Sequence, residues 1–344
     1  MLNFESDYNN GACPQVMLNL FKTNDDKSLT YGFDKWSKSA EIKIKQACNK
    51  PDANVFFLCG GTQTNAVVID SLLHSYQGVI CCKDAHINIH EAGAIEVCGH
   101  KVIALPSENG KLRYEDLKEF LYTFENDESR HHMVQPGMVY LTFPSEWGTV
   151  YSKKEIEDIY CLCKNYNLPL YIDGARLGYG LTSKECDFDL PWLSNHCDCF
   201  YIGGTKCGAL CGEAVVFTHN NTPDNFFTII KQHGALTAKS RLIGIQFDTL
   251  FTDNLYFEIS KHANLMAEQL REILQKAGFT FYLHSPTNQQ FVIMDKQMIK
   301  SLDDKIIFSK WLPVDKDNFI CRFVTSWATS QEELNELQNI LLCK

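Results

Sequence analysis

The chain has 344 residues, 45% of them hydrophobic, with a formal net charge of -10 and an isoelectric point near 5.6. That length suffices for one large domain plus a smaller one, and the acidic balance argues against nucleic acid and anionic membranes as partners. The start, Met1-Leu2-Asn3-Phe4-Glu5-Ser6-Asp7, lacks the basic and apolar regions of a signal peptide, and no apolar run reaches the roughly eighteen residues needed to span a membrane.

The 15 cysteines are therefore expected as free thiols in a reducing compartment, with a cytoplasmic location. The close pairs are Cys81-Cys82, Cys161 with Cys163, Cys197 with Cys199, and Cys207 with Cys211. None has the two-residue spacer of a structural zinc site, so no metal is expected.

In chain order, residues 55–58 read as a strand, 63–76 as a helix, 79–82 as a strand, and the region of Glu91 as helix. Residues 138–143 read as a strand, 153–166 as a helix, and 169–172 and 198–202 as strands. The polar stretch 125–132, with His131-His132, reads as an exposed loop. Continuous apolar strands alternating with helices predict a mainly parallel sheet covered on both faces, with ligands at the carboxyl ends of its strands. After about residue 222 the pattern changes. Two long helical stretches cover 223–278, strand-like runs follow at 279–283, 290–294 and 318–325, and a helix covers 331–342. This predicts a large domain over 1–247 and a smaller α+β domain over 248–344.

Four stretches carry chemistry, each placed after a strand. Gly60-Gly61-Thr62-Gln63-Thr64-Asn65 opens a helix, where free N–H groups and a positive dipole end can cradle a phosphate. The plainer reading is a tight turn capped by threonine. In Asp84-Ala85-His86-Ile87-Asn88-Ile89-His90-Glu91, His86 is suited to stack on a planar ring. A metalloprotease helix would need glutamate directly after its first histidine, where this chain has Ile87. Tyr171-Ile172-Asp173-Gly174-Ala175-Arg176-Leu177 ends an apolar strand in a carboxylate, which could protonate a pyridine nitrogen or simply pair with Arg176. Tyr201-Ile202-Gly203-Gly204-Thr205-Lys206 places a lysine in a Gly-rich turn. It could form a Schiff base, bind a phosphate, or lie along the surface.

Together these stretches resemble the threonine aldolase and β-eliminating lyase family of fold-type I pyridoxal-phosphate enzymes, related to the aspartate aminotransferase fold. Matches run in order over nearly the whole chain. They are Ser6-Asp7, Tyr31-Gly32 with Asp34, the Gly-Gly-Thr loop, His86 with Glu91-Ala92-Gly93, Asp173 to Leu177, Lys206, Arg241 in Ala238-Lys239-Ser240-Arg241, and Arg322-Phe323-Val324-Thr325-Ser326-Trp327. The resemblance implies an α/β fold with a seven-stranded-type sheet and pyridoxal 5'-phosphate as cofactor. Lys206 would be the Schiff-base lysine, Asp173 the pyridinium partner and His86 the stacking ring. Gly61, Thr62 and Thr205 would hold the phosphate, with Arg176 also near the cofactor and Arg241 reaching in from a neighbouring subunit of a homodimer or homotetramer with shared sites. Ser6, Tyr31, Arg176 and Arg322 would bind a small amino-acid substrate, arginine matching a carboxylate with its planar fork.

The chain departs from that pattern in two places. Better-known aldolases carry Asn-Thr-His after the strand ending at Phe143, and this chain has Pro144-Ser145-Glu146-Trp147-Gly148-Thr149. Their Ser-Lys-Gly-Leu is here Thr205-Lys206-Cys207-Gly208. The activity implied is retro-aldol cleavage of threonine or allo-threonine to glycine and acetaldehyde, with His86 and Glu91 as candidate bases and Glu146 a further one. The same site would serve β-elimination from cysteine or a similar amino acid, and the fold could also serve a binding protein without catalysis.

Overall fold

A computed structural model of the chain describes residues 1–342. Its main sheet has seven strands: β1 (Asn54–Leu58), β2 (Gln77–Cys82), β3 (Lys101–Leu105), β4 (Gln135–Thr142), β5 (Leu170–Asp173), β6 (Cys199–Gly203) and β7 (Glu213–Phe217). Their order across the sheet is β1-β7-β6-β5-β4-β2-β3. Only β7 runs against the rest. Every residue of β5, β6 and β7 is buried, as expected for central strands covered on both faces. The edge strand β3 is partly exposed.

Where the turns allow only close backbone approach, the sequence supplies glycine. A Cβ on Gly174 would meet the Tyr201 carbonyl oxygen at 2.0 Å, and one on Gly203 would meet that of Ala175 at 2.2 Å. These two glycines bring the carboxyl ends of β5 and β6 together, and the Gly203 amide donates to the Gly174 carbonyl at 2.9 Å.

A second, antiparallel sheet follows from β8 (Thr280–Phe281), β9 (Gln289–Asp295), β10 (Ser309–Pro313) and β11 (Asn318–Val324), in the order β10-β11-β9-β8. The hydrophobic core changes over within the helix Leu255–Lys276. Ala263 packs in the main core, whereas Met266, Leu270 and Leu274 pack with the second sheet. Leu2 and Phe4 cross from the N-terminus into that second core.

The architecture is the expected one, and the differences in elements have local causes. Helix near Glu91 is two single turns, His86–Ile89 and Ala94–Val97, because Ala92 and Gly93 take left-handed backbone (φ 51 and 75) and break it. The two helical stretches after residue 222 are three helices, Phe226–Gln232, Arg241–Leu250 and Leu255–Lys276, with Gly234 (φ 66) and Asn254 (φ 59) at the breaks. The polar stretch 125–132 is exposed but not wholly loop, since it includes the end of the helix Tyr114–Asn126 and a 3-10 turn at Arg130–His132. Every cysteine among the described residues is a free thiol, and most are buried. Among those residues no group of three or more His, Cys, Asp or Glu is placed to hold a metal ion, and no helix is long and apolar enough to cross a membrane.

Candidate active site

Five strand ends meet at one edge of the main sheet. β5 ends in Asp173, whose buried carboxylate is fixed by three donors. Oδ2 accepts from Asn65 Nδ2 (2.9 Å) and the Tyr140 hydroxyl (2.6 Å), and Oδ1 from the Ala175 amide (2.9 Å). Oδ1 keeps a lone pair for a further donor. Asn65 is fixed in turn: its Nδ2 also donates to Glu91 Oε1 (2.8 Å), and its Oδ1 accepts from the Tyr171 hydroxyl (2.9 Å). Glu91 Oε1 lies 2.7 Å from His86 Nδ1. An ionised Glu91 requires that nitrogen to carry the proton. His86, Glu91, Asn65, Asp173 and Tyr140 thus form one chain of hydrogen bonds.

Burial pulls the His86 imidazole down. The hydrogen bond to Glu91 and the negative charges of Glu146 and Asp173 outweigh it, and the net shift is upward. The Glu91 side chain is wholly buried, with His86 and Asn65 as its hydrogen-bond partners. Oε1 holds the ring of His86, and Oε2 is buried with no hydrogen-bond partner.

Lys206 sits in the turn after β6, where the Tyr179 hydroxyl donates to its carbonyl. Its side chain is half-buried. The amine makes no hydrogen bond or ion pair among the described residues and stands 5.9 Å over the Tyr8 ring. The neighbouring Thr205 hydroxyl is already committed, donating to Glu213 Oε1 at 2.8 Å and accepting from the Gly212 amide at 3.1 Å. Burial pushes the Glu213 carboxyl up to about 8, against the hydrogen bonds from Thr205 and the Gly204 amide.

Opposite lie two arginines. Arg176 makes a two-pronged pair with Asp7, Nε to Oδ2 at 2.7 Å and Nη2 to Oδ1 at 2.9 Å, both side chains being buried. Burial would raise the Asp7 carboxyl, but the charge and hydrogen bonds of Arg176 hold it below the usual carboxylate range. The partner of Arg176 is therefore Asp7 and not Asp173, and Nη1 is not used in that pair. Ser6, next to Asp7, is buried and donates to Asn9 Oδ1 at 2.6 Å.

Arg322 comes from β11 of the small sheet. Nη1 donates to Gln289 Oε1 at 3.0 Å, Nη2 approaches the Glu5 carbonyl and Ser309 Oγ at 3.3 Å each, and the guanidinium lies 4.4 Å over the Trp311 ring. Nε is buried with no partner, and no carboxylate pairs with this arginine among the described residues. Burial and the charge of Arg176 bring its pKa down to about 10. A buried cation with an unmet donor favours an anionic ligand.

The glycine loop leads from β1 into the helix Gly61–Leu72. No side chain caps that helix start, and the buried Gln63 Oε1 and Thr64 Oγ1 have no partner. Thr62 is exposed there. Two expected site residues have their contacts elsewhere. Arg241 donates to the Asp26 and Thr23 carbonyls and lies over the Trp36 ring. Tyr31 bonds through its amide to the Ala238 carbonyl and lies beneath Lys231.

The sequence pattern of the β-eliminating lyase family matches residues 3–298. The chain belongs to the β-eliminating lyase family. A low specificity L-threonine aldolase from Pseudomonas sp. (strain NCIMB 10558) is 30% identical over 339 residues, covering 97% of this chain and 95% of that protein. The Leishmania major threonine aldolase structure is 38% identical with a TM-score of 0.95, covering 99% of this chain and 98% of its own. A serine palmitoyltransferase from S. paucimobilis, solved with bound PLP-myriocin, shares the fold at 13% identity, TM-score 0.71, over 98% and 86% of the two chains.

For a β-eliminating lyase the implied cofactor is pyridoxal phosphate, and the residues present fit it. An unpaired amine, a buried carboxylate with a lone pair to spare, and a histidine held by glutamate share one sheet edge. An uncapped helix start with orphaned polar atoms lies at the same edge, suited to a phosphate.

Several members of the site were not assigned from sequence: Asp7 as the partner of Arg176, and Asn65, Tyr140 and Tyr171 around Asp173. Asn65 left a signal, as a polar residue directly before the apolar run Ala66-Val67-Val68-Ile69.

Proposed function

We propose that this chain is a pyridoxal-phosphate-dependent carbon–carbon lyase that cleaves threonine-type β-hydroxy amino acids to glycine and an aldehyde. The observation that carries the reading is the unpaired amine of Lys206 at the edge shared by Asp173 and the glutamate-held His86. Full-length similarity to threonine aldolases supports it. When bound, the cofactor supplies the electron sink for a carbanion at Cα.

Lys206 would hold the cofactor covalently, Asp173 would face its pyridine nitrogen and His86 would lie on its ring. The amides at Gly61 and Thr62 would hold its phosphate. Arg322, with its orphaned Nε, would bind the substrate carboxylate, and Asp7 would keep Arg176 fixed beside it. A purified protein given a panel of amino acids should release aldehyde and glycine from threonine or allo-threonine. Release of only ammonia and a keto acid, from cysteine or serine, would replace the aldolase reading with β-elimination.

The proposal extends to a homodimer with shared sites, Arg241 completing the phosphate site of a second copy. Exposed Leu29, Phe33, Phe227 and Leu242 line two surface grooves of about 480 and 340 Å³ near Arg241, consistent with a face that another copy covers. Sedimentation should show the active species to be at least a dimer; a fully active monomer would refute this. A cytoplasmic setting is in keeping with the many free thiols.

A further inference from the structure

We propose that Glu146 is the base that takes the β-hydroxyl proton as the Cα–Cβ bond breaks. The inference rests on the aldolase reading above and names the proton acceptor within it.

Glu146 lies in the loop leaving the carboxyl end of β4, and that loop is firmly built. The Ser145 amide donates to the Thr149 carbonyl at 2.9 Å, and the two side-chain hydroxyls are 2.7 Å apart. The Gly148 carbonyl accepts from Thr287 Oγ1 at 2.9 Å and Ser285 Oγ at 3.2 Å. Trp147 is buried against Phe291, with ring centroids 5.1 Å apart. The position of Glu146 is therefore set by both sheets.

Its side chain is another matter. Glu146 is only 8% exposed, yet its carboxylate makes no hydrogen bond or ion pair among the described residues. Neither of its oxygens is among the buried atoms that lack a partner, so the carboxylate itself keeps contact with solvent and is free to meet a ligand. It lies within electrostatic reach of His86, His90, Arg176 and Arg322, with Tyr140 and Cys82 also near. Gln289 couples it to the substrate anchor, accepting from Arg322 Nη1 at 3.0 Å and donating to the Glu146 carbonyl at 3.5 Å.

The rival groups are less accessible. Glu91 Oε1 is shared by His86 and Asn65, and Oε2, though without a partner, is buried with the rest of a side chain that has no exposure. His86 is positioned as a ring to stack. The His90 ring packs against Trp311 at 5.3 Å. An amino acid held by its carboxylate at Arg322 and its amine near Lys206 leaves its β-substituent to the space these groups enclose.

In the step proposed, the hydroxyl proton passes to the Glu146 carboxylate and the O–H electron pair becomes the second bond of the aldehyde carbonyl. The Cα–Cβ bond breaks, and its pair stays with Cα until a solvent-derived proton reaches that carbon. Glu146 returns its proton to solvent after the aldehyde leaves, so glycine and aldehyde together hold every atom of the substrate.

Glu146→Gln in the holoenzyme tests this, because it keeps the shape and removes the base. Aldehyde release from threonine should fall roughly 10²–10⁴-fold, the usual contribution of a positioned proton acceptor. The near-visible absorption, the spectral change on adding glycine, and exchange of the glycine α-proton with deuterated water should persist at comparable levels, since none needs a hydroxyl proton removed. Glu146→Asp, which keeps a carboxylate, should retain part of the cleavage that Glu146→Gln loses. Comparable cleavage by Glu146→Gln and wild type would overturn the assignment. So would a parallel loss of cleavage, exchange and cofactor absorption, which marks a structural role. A wild-type protein that releases no aldehyde at all would instead overturn the aldolase reading, and this step with it.

Discussion

Lys206→Ala is expected to abolish turnover while leaving the protein folded and about as stable as before. The turn that carries Lys206 is held by backbone contacts, the Cys207 and Ala209 amides donating to the Gly204 carbonyl and the Tyr179 hydroxyl to that of Lys206 itself. None involves the amine, which has no hydrogen bond or ion pair among the described residues. Removing it breaks no pair and uncovers no buried charge, so the stability change should stay within about 1 kcal/mol. The loss of activity should be complete, because the amine that would hold the cofactor is removed and alanine offers nothing in its place. Borohydride treatment of the wild-type holoenzyme, followed by peptide mass mapping, should fix the cofactor on Lys206. A label on any other lysine removes the assignment, as does full activity in Lys206→Ala.

The legible part of this site consists of residues that end apolar runs. Asp173, His86 and Lys206 each follow a strand whose side chains are apolar, and a charged or polar residue there stands out at the edge of a parallel sheet. The glycine loop was legible for the same reason. What joins these residues was not, because the joining contacts are far apart in the chain. Asp7 and Arg176 are separated by 169 positions, and nothing in either neighbourhood names the other. Tyr140 reads as one more apolar residue of a strand, since its ring is buried like its neighbours and only the hydroxyl reaches Asp173. Arg241 and Tyr31 are a third kind of case. Both were assigned by resemblance, Arg241 to a role that needs a second copy and Tyr31 to substrate binding, and within one copy they hold the chain near Thr23, Asp26 and Ala238.

The pairing of Asp7 with Arg176 also alters how substrate binding divides between the two arginines. A buried two-pronged pair stabilises little over an apolar alternative, but removing one partner leaves an uncompensated charge. Arg176 is thus a fixed cation whose field reaches Arg322, Glu146 and the space between them. Arg322 carries a buried Nε with no partner, whereas Arg176 gives Nε and Nη2 to Asp7 and leaves Nη1 outside that pair. The small sheet and the large domain thus each bring one buried arginine to the same space, Arg322 with an orphaned Nε and Arg176 held by Asp7.

Asp173→Asn is expected to lose activity on the order of 10²–10³-fold, the effect of removing one pre-positioned electrostatic partner. Sequence alone presents the exchange as nearly isosteric and harmless to the fold. The hydrogen bonds show that it is not neutral. All three protein groups facing Asp173 are donors: Asn65 Nδ2 and the Tyr140 hydroxyl on one oxygen, the Ala175 amide on the other. An asparagine must turn its own NH2 toward one of these sides. Facing Ala175, it opposes a backbone N–H that cannot change role. Facing Asn65, it opposes an amide that cannot flip, because its oxygen would then confront Glu91 and release the Tyr171 hydroxyl. Tyr140 alone can rotate its proton away. The cost should be about 1–3 kcal/mol, the penalty for one buried donor left unmet, visible as a lower denaturant midpoint for the cofactor-free protein. Tyr140→Phe separates the two effects, since it keeps the carboxylate charge and withdraws one donor. It should lose less activity than Asp173→Asn. Wild-type turnover in Asp173→Asn with cofactor bound would exclude the carboxylate from the chemistry, and an equal loss in Tyr140→Phe would show that orientation, rather than charge, is what Asp173 supplies.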